Sequence, residues 1–247
     1  MSGMMYLAVG MPRSGSGWHY NLIHDLVVAS GGQDAHKIRR KFRLQSILTE
    51  VNCNIGAFTS KRLVPVLIPA LLGKRYVIKA HAGPTALLMW LIQKGKISPF
   101  YIYRDPRDAL LSAYEYGLRK RAKGAGGAFT ELWSVDDAIE FIRKYVAISE
   151  TWLACEKALH TRYEDMLMNY TVETQRILDF LGLDHQNRRY QVVIDRYRPE
   201  KGDSKRRGTH FVQGKTGRFR QALTEEQQQR CLELFGPYLE RMGFPLS

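Results

Sequence analysis

Two short stretches of this chain have the residue types and spacing to hold anions. The first runs Gly10-Met11-Pro12-Arg13-Ser14-Gly15-Ser16-Gly17-Trp18. Glycine lets a backbone approach an oxyanion closely. Ser14 and Ser16 offer hydroxyl donors, and Arg13 offers a planar positive fork. The second runs Arg104-Asp105-Pro106-Arg107-Asp108-Ala109-Leu110-Leu111-Ser112. Asp105 reads as a helix N-cap and Pro106 as the first helical residue. Asp108 in the first turn suits the helix dipole. Arg104 at the helix entrance and Ser112 two turns along could grip one phosphate. Each stretch also has a plainer reading. Ser16 would merely cap a helix, Arg104 would pair with Asp108, and Ser112 would be a small residue at a helix contact.

These loops need a scaffold, and the pattern around them supplies one. Residues 6–9, 75–79, 100–103 and 159–163 are short apolar runs that read as strands. A helix is expected after each of the first and third, from about residue 17 to 30 and from Pro106 onward. Helical periodicity is also clear over 135–158, 172–181 and 224–242. Strands alternating with helices imply right-handed crossovers and a parallel sheet covered on both faces. The expected fold is therefore α/β: a single three-layer domain over residues 1–247, of the nucleotide-binding kind. Ligands of such sheets bind beyond the carboxyl ends of the strands, where both loops fall. Residues 31–69 show no comparable pattern, and Pro65 and Pro69 limit any regular element there.

The 247 residues are 45% hydrophobic and 25% charged, ordinary for a folded domain and unlike a disordered or fibrous chain. The 37 Lys and Arg outnumber 24 Asp and Glu, for a net charge of +13. That surplus favours anionic ligands: nucleic acid, an acidic membrane or a phosphorylated small molecule. Cys53, Cys155 and Cys231 are too far apart for a zinc site or a disulfide scaffold and suit a reducing compartment. No apolar run approaches the ~20 residues that span a bilayer, and residues 4–9 are too short for a signal-peptide core. A complete, cytoplasmic chain is the resulting expectation. No carboxylate cluster suggests a metal ligand set, so no metal is expected.

The first loop departs from the nucleoside-triphosphate loop G-x-x-x-x-G-K-[ST]. Gly10 and Gly15 fit that frame, but Ser16 stands where the lysine belongs. Gly214-Lys215-Thr216 fails too, because Thr209 occupies the first glycine position. This weakens an ATPase or kinase reading without weakening phosphate binding.

Together the two loops resemble the sulfotransferases that use 3′-phosphoadenosine 5′-phosphosulfate (PAPS). Residues 12–18 resemble that family's 5′-phosphosulfate loop, and residues 104–112 its 3′-phosphate motif with the same arginine-to-serine spacing. Arg162-Tyr163-Glu164-Asp165-Met166 resembles its tyrosine-bearing strand end. Gly214-Lys215-Thr216-Gly217-Arg218-Phe219 resembles the C-terminal glycine loop over the adenosine. Lys79 and His81 resemble its Lys-x-His pair. The resemblance covers nearly the whole chain.

The resemblance implies roles. Arg13 would stand beside the sulfuryl group and the leaving phosphate. The amides of Gly15, Ser16 and Gly17, with the Ser14 and Ser16 hydroxyls, would hold the 5′-phosphate. Trp18 would stack on or near adenine, and Tyr163 would line its pocket. Arg104 and Ser112 would hold the 3′-phosphate, and Gly214 and Lys215 would close over the nucleotide. His81 would be the general base, with Lys79 assisting at the leaving oxygen. A plainer reading of His81 is a strand-end histidine bound to a carbonyl. The donor would be PAPS and the released nucleotide adenosine 3′,5′-bisphosphate (PAP). The partner would be a small-molecule acceptor with a hydroxyl or amine. Val212 and Gln213 stand where the family usually carries Arg-Lys, and Arg206, Arg207 or Lys215 are the candidates to replace them. Gly17 replaces a common threonine.

The basic clusters at 37–43, 119–123 and 201–207 read as solvated faces, or else as a sign of an acidic acceptor. Residues 123–127 read as a glycine-rich loop able to act as a lid, and residues 190–197 as pocket wall or helix packing. An ATP-using phosphotransferase and a non-enzymatic nucleic-acid binder are the competing readings. The missing loop lysine argues against the first, and scattered basic residues without a recognition motif against the second.

Overall fold

A computed structural model describes residues 3–201 and 216–247. Strand β1 (Met4–Gly10) leads into α1 (Ser16–Ala29), then α2 (Ala35–Lys41), β2 (Asn54–Ile55) and α3 (Ser60–Leu71). Next come β3 (Arg75–Ala80), α4 (Ala86–Gln93), β4 (Ile97–Tyr103), α5 (Pro106–Arg121) and a 3-10 turn at Ala128–Glu131. Then follow α6 (Val135–Leu153), β5 (Leu159–Arg162), α7 (Tyr163–Met168), α8 (Tyr170–Leu181) and α9 (Arg188–Arg196). The last elements are α10 (Phe219–Ala222) and α11 (Glu225–Arg241).

Among the described residues the strands form one sheet in the order β2-β3-β1-β4-β5. Every pairing is parallel. The expected α/β architecture is present. β1 is central and almost wholly buried, as a strand covered on both faces should be. Helices α2, α3 and α4 close one face around Leu7, Val9, Tyr76 and Ile78. Helices α1, α7, α8 and α9 close the other around Tyr6, Ala8, Val77 and Ile102. The alternation within β1 divides its side chains between the two layers. A third cluster joins α5, α6, α10 and α11. In this parallel register Val9 pairs with Ala80, Gly10 with Ile102 and Tyr103 with Arg162. The carboxyl ends of four strands therefore share one edge, and both loops open there.

The expectation for residues 31–69 is corrected: they hold α2, β2 and α3, and α3 contains both Pro65 and Pro69. An interior proline costs a helix about 3 kcal/mol. Burial of Leu63, Val66, Leu67 and Ala70 in the core opposes that cost, at about 1.5–3 kcal/mol for each large aliphatic side chain. Tertiary burial thus overrides a local signal. The strand expected over 159–163 ends one residue early, and Tyr163 begins α7. Residues 190–197 pack as part of α9 against α1: Trp18 Nε1 donates to the Tyr197 carbonyl at 2.9 Å, and the Tyr197 hydroxyl donates to Asp25 at 2.8 Å.

Candidate active site

The first loop leaves β1 at Gly10, where a β-carbon would lie 2.6 Å from Ile102 Cγ2 and 2.8 Å from the Ser16 β-carbon. Only glycine fits between β4 and the start of α1. Arg13 adopts a left-handed φ of 67°, which costs a non-glycine residue of order 1–3 kcal/mol and marks a constrained loop. Gly15 follows at φ 75° as the N-cap of α1, with no side chain capping the helix. The first turn carries no acidic residue, so the positive end of the α1 dipole is left for an anion. The first helical bond runs from the His19 amide to the Gly15 carbonyl at 3.0 Å. The amides of Ser16 and Gly17 precede it and face the loop.

Ser14 is a correction. Its hydroxyl is fully buried and donates to the Met11 carbonyl at 2.6 Å, with the Ile102 carbonyl at 3.2 Å. A hydroxyl has one proton to give, and this one braces the loop to β1 and β4 instead of facing a phosphate.

The two cationic motifs meet. Arg104, also buried, donates from Nη1 to the Arg13 carbonyl at 3.2 Å, and its guanidinium lies 4.4 Å above the Tyr163 ring. Its Nη2 stands 3.5 Å from Asp108 Oδ2, so the plainer pairing with Asp108 is present as well. Arg13 Nε donates to Ser112 Oγ at 3.1 Å, and its guanidinium rests 4.5 Å above Tyr116. Burial, with Arg119 and Arg104 nearby, lowers the Arg13 pKa to about 10. Tyr163 packs against Gly15, meets the Trp18 ring edge-on at 6.4 Å and supports Arg104. One face of Trp18 is covered by Tyr170, stacked at 5.9 Å.

Lys79 and His81 stand at the end of β3 beside this pair. Burial, then the charge of Arg13, lowers the Lys79 pKa to about 8. His81 Nδ1 lies 2.6 Å from the Gly10 carbonyl, which fixes Nδ1–H as the donor and leaves Nε2 as the basic nitrogen. Burial and the charges of Lys79 and Arg13 lower the His81 pKa to about 3. The imidazole is neutral throughout the physiological range. The plainer reading of His81 is present: it bonds the Gly10 carbonyl, and that bond orients the opposite nitrogen.

Asp105 caps α5 by accepting the Arg107 amide at 2.9 Å, and Arg107 returns a bidentate pair to Asp105 at 3.0 and 2.8 Å. Asp108 does more than suit the dipole. It accepts the Gly217 amide at 2.7 Å and the Phe219 amide at 3.3 Å, and so ties the C-terminal segment to the Arg104 motif. Gly214 and Lys215 lie outside the described residues, as do Arg206, Arg207, Val212 and Gln213. Tyr116 and Phe129, whose ring is 5.9 Å from the Arg13 guanidinium, were not anticipated. Tyr116 lies one helical turn beyond Ser112, and that spacing was a usable signal. The candidate lid at 123–127 leads into the 3-10 turn that carries Phe129. Arg121 Nη1 holds that turn through the Thr130 and Leu132 carbonyls at 2.9 and 2.8 Å.

The parallel α/β sheet gathers Arg13, Arg104, Lys79 and a helix N-terminus without an acidic first turn at one edge. The sequence profile of the sulfotransferase domain matches residues 6–243. The chain belongs to the sulfotransferase domain family and is an enzyme of that family. Its fold is similar to that of mouse sulfotransferase SULT7A1 complexed with PAP, with a TM-score of 0.62 at 15% identity, over 97% of this chain and 85% of that one. It is similar to retinol dehydratase in a complex with retinol and PAP, with a TM-score of 0.61 at 19% identity, over 97% and 82%. An Arabidopsis thaliana putative steroid sulphotransferase matches with a TM-score of 0.51 at 17% identity, over 100% and 80%.

Proposed function

We propose that the chain transfers the sulfuryl group of PAPS to a hydroxyl or amine of a small-molecule acceptor. The observation that carries this reading is the cluster of largely buried cations Lys79, Arg13 and Arg104 near the N-terminus of α1. A nucleotide with phosphates at both ends of its ribose needs two such grips. The α1 amides take the 5′-phosphosulfate, and Arg104 with Ser112 takes the 3′-phosphate. Arg13 is able to serve either end. The acceptor O–H or N–H gives its proton to His81 Nε2. The acceptor atom then bonds to sulfur in line as the bond from sulfur to the 5′-phosphate oxygen breaks, releasing PAP. Lys79 and Arg13 stabilise the charge that grows on that oxygen. Positioning and fixed charges supply most of the catalysis in such a step. The co-crystallised retinol and androsterone of the retinol dehydratase structures support a small organic acceptor.

A thermal-shift titration tests the donor class. PAP is expected to raise the melting temperature in proportion to the logarithm of its concentration, with little effect from ATP–Mg²⁺ or an oligonucleotide. Stabilisation by ATP–Mg²⁺ alone would support a phosphotransferase instead, and by oligonucleotide alone a nucleic-acid binder.

A further inference from the structure

A helix lying on a sheet should turn its polar side outward, and α3 does not. Val64, Ile68, Leu71 and the following Leu72 are 52%, 42%, 63% and 63% exposed. Their spacing of i, i+4, i+7 and i+8 makes one stripe along the helix. The opposite side, with Leu63, Val66, Leu67 and Ala70, is already buried in the core. Helix α4 packs into the same layer through Leu88, Leu91 and Ile92. It turns Trp90 outward at 55% exposure. Thr85, which caps α4, donates its hydroxyl to the Phe58 carbonyl at 3.2 Å just before α3 begins. The two helices therefore start near one another on the same face of the sheet.

The charge around these helices is one-sided. Residues 51–104 contain no Asp or Glu. Exposed Lys61 and Arg62 stand at one end of the α3 stripe, Lys74 at the other, and exposed Lys94 and Lys96 follow α4. Lys61 and Arg62 occupy the first turn of α3, where the helix dipole disfavours cations. Helix stability does not account for them.

We propose that the outer surface of α3 and α4 docks on an anionic lipid bilayer. The aliphatic stripe and Trp90 enter the interfacial region while the lysines and arginines meet acidic headgroups. Tryptophan favours that boundary. A protein interface carries roughly one hydrogen bond per 100–200 Å², yet Val64, Pro65, Ile68, Leu71 and Leu72 offer no polar side-chain group. A lipid boundary asks for none. The proposal is independent of the donor nucleotide.

Sedimentation with large vesicles tests it, using phosphatidylcholine alone or phosphatidylcholine with phosphatidylserine at 3:1. The wild-type protein should pellet with the acidic vesicles at least tenfold more than with the neutral ones. Ile68→Ser with Leu71→Ser should reduce that binding about tenfold, and Lys61→Glu with Arg62→Glu by a similar factor. Both variants should keep the wild-type circular dichroism and PAP-dependent melting shift. Arg188→Glu with Arg189→Glu changes charge equally on α9, in the opposite layer, and should leave binding within twofold. Equal loss in the α9 variant would reduce the effect to net charge and overturn the proposal. So would an absence of pelleting with acidic vesicles. Concentration-dependent dimers in light scattering that the stripe variant abolishes would assign the face to protein contact instead.

Discussion

The Arg13 Nε–H donates to Ser112 Oγ across 3.1 Å, joining residues 99 positions apart in the chain. The motif expected at the 5′ end of the nucleotide therefore touches the motif expected at the 3′ end. Tyr116 beneath the Arg13 guanidinium, at 4.5 Å, holds it there. Arg104 bonds the carbonyl of the same Arg13 at 3.2 Å. The two clamps form one surface whose centre is Arg13.

Ser112→Ala removes a 3′-phosphate donor and the brace on Arg13. Hydrogen bonds to charged groups are worth about 1.5–3 kcal/mol, so PAP affinity measured by calorimetry should fall about 10- to 100-fold. Stability should change little, because Ser112 is only partly buried. An unaltered dissociation constant would remove Ser112 from the grip.

His81 carries the largest expected effect on turnover. General-base catalysis contributes about 10²–10⁴-fold, and a base held near pKa 3 is a weak one, so His81→Ala should lose turnover by about 10²-fold, the low end of that range, and retain PAP binding. Burial, then the charges of Lys79 and Arg13, hold its pKa down to about 3. Bound PAP adds negative charge beside them, and the His81 pKa followed by NMR should rise on titration with PAP. A pKa that stays put or falls would separate His81 from the nucleotide.

Asp108→Asn probes the tie between the Arg104 motif and the C-terminal segment. It removes the charge facing Arg104 and weakens acceptance of the Gly217 and Phe219 amides. Breaking a buried ion pair costs about 3–5 kcal/mol when one partner is removed outright. The isosteric amide should cost less, about 1–3 kcal/mol in urea unfolding. Protease cleavage near Gly217 should accelerate. Equal cleavage rates for the two proteins would mean that Asp108 does not anchor the segment.

His19 sets a limit on acid stability. It is fully buried against Phe100, its ring nitrogens have no hydrogen-bond partner among the described residues, and burial lowers its pKa to about 3. The unfolded chain takes up the proton near the ordinary value of about 6.5. Stability from the neutral ring is thus complete above that pH and declines as pH falls toward 3. From pH 7 to pH 5 the loss should be about 2 kcal/mol. His81, with its pKa lowered equally, adds a similar slope, so His19→Phe should remove about half of the combined slope, and a variant with the wild-type slope would refute the assignment.

Much of this protein is legible in the chain itself. The short apolar runs mark the four longer strands. Glycine at 10, 15 and 17 with Arg13 marks the anion loop, and Asp105-Pro106 marks the start of α5. These signals are local, because each depends on the backbone conformations and caps that a few adjacent residues favour. The three-dimensional packing decided the rest. The prolines of α3 hid a helix that exists because the sheet buries one side of it. The Ser14 hydroxyl turned inward because two carbonyls lay within its reach. Arg13 and Ser112 met only when parallel pairing aligned the ends of β1 and β4. The exposed stripe of α3 became visible only once its other side was known to be covered. Contacts between distant residues carry no local periodicity, so burial, partners and pKa shifts follow from the assembled sheet alone.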